Sequence, residues 1–67
     1  MADTPQAIRE AMTSAGVTQT ALAERLGLTQ PAVSARLSGR TPITVDELRI
    51  IADALGVDAA VLLGSAA

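Results

Sequence analysis

The sequence predicts an all-α fold of five short helices in one domain, and three observations predict it. Apolar residues recur at i, i+3, i+4 and i+7 instead of alternating, and four turn signals cut the chain into pieces of helical length. Hydrophobic residues make up 49% of the 67, yet Phe, Trp and Tyr are absent, so the core is built from Leu, Ile, Val, Ala and Met, which favours closely packed helices over a sheet. A chain of 67 residues fits one domain, residues 1–67, with no room for a second core. Without Cys or His it forms no disulfide and none of the usual zinc sites, so packing, with or without a partner, must stabilise it.

The first helix opens with Thr4 as N-cap and Pro5 at its first position, where the missing N–H costs nothing, and closes near Gly16. Its inner stripe is Ile8, Met12 and Ala15. Thr18 caps a second helix through Leu26, with Leu22, Ala23 and Leu26 facing inward and Gly27 as its stop. Thr29 caps the third, Pro31 lies in its first turn, and Val33 and Leu37 form an i, i+4 apolar pair before Gly39 ends it. Thr44 and Glu47 have the spacing of a capping box, so a fourth helix starts there; Leu48, Ile51, Ala52 and Leu55 are its buried stripe and Gly56 its stop. Asp58 caps a last turn or two carrying Ala59, Val61, Leu62 and Leu63, and Gly64 to Ala67 read as a loose tail.

The formal net charge is −2, which by itself argues against a nucleic-acid ligand. Its distribution argues otherwise. Residues 25–45 carry Arg25, Arg36 and Arg40 with no acid, between acidic flanks, and such an island can face phosphates. No apolar run is long enough to span a bilayer, and Met1-Ala2-Asp3 lacks the basic flank of a signal peptide, so a cytoplasmic protein is expected. Catalysis is not expected: His, Cys, Lys and Tyr are missing, no hydroxyl has a base in an evident constellation, and no glycine-rich phosphate loop is present. No cofactor is implied.

The informative stretch is residues 18–39: a helix, a two-residue connection containing Gly27, and a second helix. Ala23 stands where the two axes cross and a larger side chain would part them, while Leu22, Leu26, Leu28 and Val33 lock them together. Gly27 stands where the corner calls for a positive φ. Val17-Thr18-Gln19, then Leu22-Ala23-Glu24-Arg25-Leu26-Gly27-Leu28-Thr29-Gln30, resembles the lambda-repressor/Cro-like helix-turn-helix family. Val33-Ser34, Leu37-Ser38-Gly39-Arg40-Thr41-Pro42, Leu55-Gly56-Val57 and Leu62-Leu63-Gly64 are similar to its later segments, so the resemblance covers roughly residues 6–64. The texture is similar to repressors of actinobacterial phages and their hosts.

The resemblance implies a transcriptional repressor that reads operator duplex DNA through its third helix. Gln19 corresponds to a residue that touches phosphate and braces a Gln on the reading helix, here Gln30, which can pair bidentately with adenine. Thr29, Pro31, Ala32, Ser34 and Ala35 complete the DNA-facing set; only Ser34 among the last four has a hydrogen-bonding side chain, so base readout is sparse. Arg40, Thr41 and the free N–H groups at Gln19 are expected at backbone phosphate. Arg36 falls where many members are apolar, and the expectation is a stem along the core edge with its guanidinium on phosphate, the competing possibility being an intramolecular partner. Arg25 is expected to pair with a neighbouring carboxylate in preference to DNA. Met12 and Leu37 replace, with apolar contact, an ion pair found in several members. Homodimerisation through Val61 and Leu62, or through a region outside this sequence, would set two reading helices about 34 Å apart on DNA. The alternative is a protein-interaction module on the same scaffold, antitoxin-like or regulatory, with little DNA binding; the acidic total and the absence of Lys favour it.

Overall fold

A computed structural model describes residues 4–63 and contains five helices among them: α1 (Thr4–Ala15), α2 (Gln19–Leu26), α3 (Gln30–Leu37), α4 (Val45–Leu55) and α5 (Ala59–Leu62). Helix ends follow local chemistry. The hydroxyls of Thr18, Thr29 and Thr44 accept from the backbone N–H three residues on, and Glu47 returns its carboxylate to the Thr44 N–H at 3.1 Å, completing the expected capping box. The Asp58 carboxylate caps α5 through the Ala60 N–H at 2.9 Å. At the other end of α2 the chain enters the left-handed region at Gly27, φ +70°, where the Leu28 N–H reaches Ala23 O at 2.9 Å and the Gly27 N–H reaches Glu24 O at 3.3 Å. The same pair of bonds closes α1, α3 and α4.

α1 packs against α3, α4 and α5, while α2 lies between α3 and α4. One aliphatic core joins all five helices: Ile8 and Met12, Leu22 and Ala23, Val33 and Leu37, Leu48, Ile51, Ala52 and Leu55, and Leu62. Leu26 and Leu28 pack at its edge. Met12 and Leu37 are both buried, so apolar contact does stand at that pair of positions.

Three expectations need correction. Ala15 is exposed, because α1 stops there and the turn at Gly16 delivers Val17 to the core edge instead, its N–H bonded to Met12 O at 3.0 Å. Leu62 is 0% exposed and belongs to the core of its own molecule, so it is not an interface residue; Val61, on the outer side of the same turn, is 55% exposed. Thr4 is already helical, one residue ahead of the expected start at Pro5. The tail expected at Gly64 to Ala67 lies outside the described residues. No helix among the described residues is long and apolar enough to cross a membrane.

Candidate nucleic-acid interface

The Gly27 corner turns the chain so that α3 enters with Val33 and Leu37 inward, leaving Gln30 and Pro31 exposed and Ala32, Ser34 and Ala35 half-buried. Thr29 is exposed, its hydroxyl committed to the Ala32 N–H at 3.3 Å. Gln30 opens α3 and Gln19 opens α2, and the corner brings the two side chains together: Gln30 Nε2 donates to Gln19 Oε1 at 2.6 Å. The bracing implied by the resemblance is thus present. It uses one N–H of Gln30 and leaves a second N–H and the Oε1 acceptor, the donor–acceptor pair that an adenine edge requires. The backbone N–H groups of Gln19 and Thr20, in the first turn of α2, have no intrahelical acceptor.

The basic island is smaller than its sequence suggests. Arg36 donates from Nε and Nη2 to the two Glu47 oxygens at 3.0 and 3.1 Å, and from Nη1 to Ala32 O at 3.0 Å. Its stem does lie along the core edge, but the guanidinium is turned to α4, which corrects the expectation that it reaches phosphate; side-chain exposures of 17% for Arg36 and 19% for Glu47 show how far the pair is covered. The Arg36 bond holds the Glu47 carboxyl below its usual range, with the Thr44 N–H adding to the effect and burial opposing it. Arg25 does pair with a carboxylate, but with Asp53 of α4 at 2.8 Å and not with a sequence neighbour, and both side chains are largely in solvent. Arg40 is exposed, and among the described residues its side chain bonds the Ser38 hydroxyl at 3.2 Å. The N–H groups of Arg40 and Thr41 both turn inward to Ala35 O, at 3.0 and 3.3 Å, so only their side chains can meet phosphate. Thr41 itself is half-buried.

Sequence reasoning missed Arg9. From α1 its guanidinium donates to Leu37 O at the carboxyl end of α3, a cation on the negative end of a helix dipole. Among the described residues no group of acidic side chains is arranged to hold a metal ion.

No curated protein and no solved structure matches the chain significantly. A family model described as helix-turn-helix matches residues 8–62, from the first core residue of α1 to the last of α5. The matched span contains every element that builds the Gln19–Gln30 surface, and on that ground the chain belongs to the lambda-repressor-like branch of the helix-turn-helix proteins, a family of DNA-binding regulatory domains.

Proposed function

We propose that the protein is a transcriptional repressor that reads operator DNA in the major groove with the outer side of α3. The observation that carries this reading is the Gln19–Gln30 bond of 2.6 Å, which fixes a base-reading amide at the head of α3 while leaving its acceptor and one donor free. Pro31, Ala32 and Ala35 offer only apolar contact to thymine methyls and Ser34 a hydroxyl, so sequence preference rests mainly on Gln30. Thr29 and Thr41 flank this surface with hydroxyls, and Arg40 and the first-turn amides of α2 hold the backbone. Arg36 is omitted from the contacts because Glu47 and Ala32 occupy its guanidinium. Two copies bind as a homodimer on half-sites about one helical turn apart. The reading assigns no reaction and no cofactor to the chain.

A gel-shift titration against the DNA upstream of the protein's own coding region tests it. Retention of that duplex over an unrelated one of equal length, lost in Q30A, is the expected result. Equal retention of both removes operator reading, and light scattering that finds one copy per operator removes the dimer. A second reading, a protein-interaction module, draws support from the internal pairing of Arg25 and Arg36, which leaves a weakly cationic surface. Failure to retain any duplex at low salt selects it.

A further inference from the structure

Few cations remain for a polyanion once Arg25 and Arg36 are assigned to Asp53 and Glu47. Arg9 is one of them. Among the described residues its partner is a neutral carbonyl, Leu37 O, and it forms no ion pair with them. A guanidinium has five N–H donors, and this bond uses one of them.

Its surroundings give the rest a direction. Arg9 lines an open cleft with Met12, Thr13, Val17, Gln19 and Leu37. The Thr13 hydroxyl is tied back to Arg9 O at 3.1 Å, so Arg9 and Gln19 are the groups there whose side chains keep free N–H donors. Gln19 is the residue that braces Gln30, so the cleft opens beside the reading surface. Arg40, bonded to Ser38, lies three residues past the carbonyl that anchors Arg9, so both cations belong to the carboxyl end of α3.

We propose that Arg9 binds a DNA backbone phosphate, anchored by Leu37 O while its remaining N–H groups face the strand from the cleft shared with Gln19. This rests on the DNA-binding reading above and adds a contact from α1, outside the helix-turn-helix itself. The Leu37 bond pre-organises the guanidinium, so little side-chain freedom is lost when phosphate arrives.

Salt dependence separates this role from a purely structural one, because a helix cap that never meets phosphate releases no counterion. Anisotropy of the labelled upstream duplex is titrated with wild type, R9Q, R9K and R25Q over a range of salt. In R9Q the slope of log K against log[salt] falls by about 0.9, R9K restores it, and R25Q, whose guanidinium is held by Asp53, keeps the wild-type slope. An R9Q slope equal to wild type overturns the inference and leaves the DNA-binding reading standing, whereas a wild type that binds no duplex at any salt removes both. Should R9Q fold poorly, the Nε–Hε resonance of Arg9 in the wild-type protein decides: it shifts on adding duplex if the guanidinium meets phosphate, and a stationary resonance refutes the contact.

Discussion

Replacing Glu47 by Gln isolates the charge that ties the reading helix to α4. Gln keeps an oxygen for the Thr44 N–H, so the capping box survives, but the two bonds from Arg36 at 3.0 and 3.1 Å lose their ionic character. A net hydrogen bond to a charged group is worth about 1.5–3 kcal/mol, an exposed ion pair only about 0–1. With side-chain exposures of 17% and 19% the pair sits between these limits, and one neutral bond can persist. The expected loss is about 1.5 kcal/mol, or roughly 6–12 °C in Tm for a domain of this size, followed by far-UV circular dichroism. In an R36M background the same substitution costs under about 0.5 kcal/mol. The effect also depends on pH. Because the folded carboxyl lies below its usual 4.5, the pair's contribution is complete above about that pH and is lost as pH falls through the lower folded value. The gap between wild type and E47Q therefore stays constant above pH 4.5 and narrows below it. Equal cost in both backgrounds, or a gap indifferent to acid, would show that the bonds contribute nothing to stability.

Other expectations follow from the same geometry. Leu62→Ala removes a fully buried side chain and costs about 2–5 kcal/mol by chemical denaturation, whereas Val61→Ala, 55% exposed, costs under about 1. Gly27→Ala meets no atom within 4 Å, so its penalty is backbone alone, about 1 kcal/mol in a thermal melt, and Gly27→Asn costs less because Asn tolerates φ of +70°. Gln30→Ala leaves the melting temperature within about 3 °C and lowers operator discrimination by about 1–3 kcal/mol in competition gel shifts. Arg25→Ala shifts stability by under about 1 kcal/mol, since its bridge to Asp53 is 52% and 81% exposed.

What the sequence made legible was local. Thr18, Thr29, Thr44 and Asp58 announce helix starts because a cap bonds within three residues of itself, and the α4 stripe of Leu48, Ile51, Ala52 and Leu55 is long enough to fix its phase. α5 is a single turn, too short for periodicity to tell the exposed Val61 from the buried Leu62. The Arg36–Glu47 bond joins residues eleven apart on different helices, and the Arg9 bond spans twenty-eight to a carbonyl, an acceptor every residue carries. Neither leaves a pattern to find. Of the candidate surface, the Gln19–Gln30 pair was legible because a two-residue corner admits little variation in how its helices meet.

α3 buries Val33 and Leu37 and shows Gln30 and Pro31 to solvent, so the residues that seat the helix differ from those at its exposed head. The two sets can therefore change independently: the outward positions can be rewritten, by evolution or by library selection, without disturbing what keeps the helix seated. A scaffold divided this way works like a cartridge, able to acquire a new preference by a handful of surface replacements while its melting behaviour stays where it was.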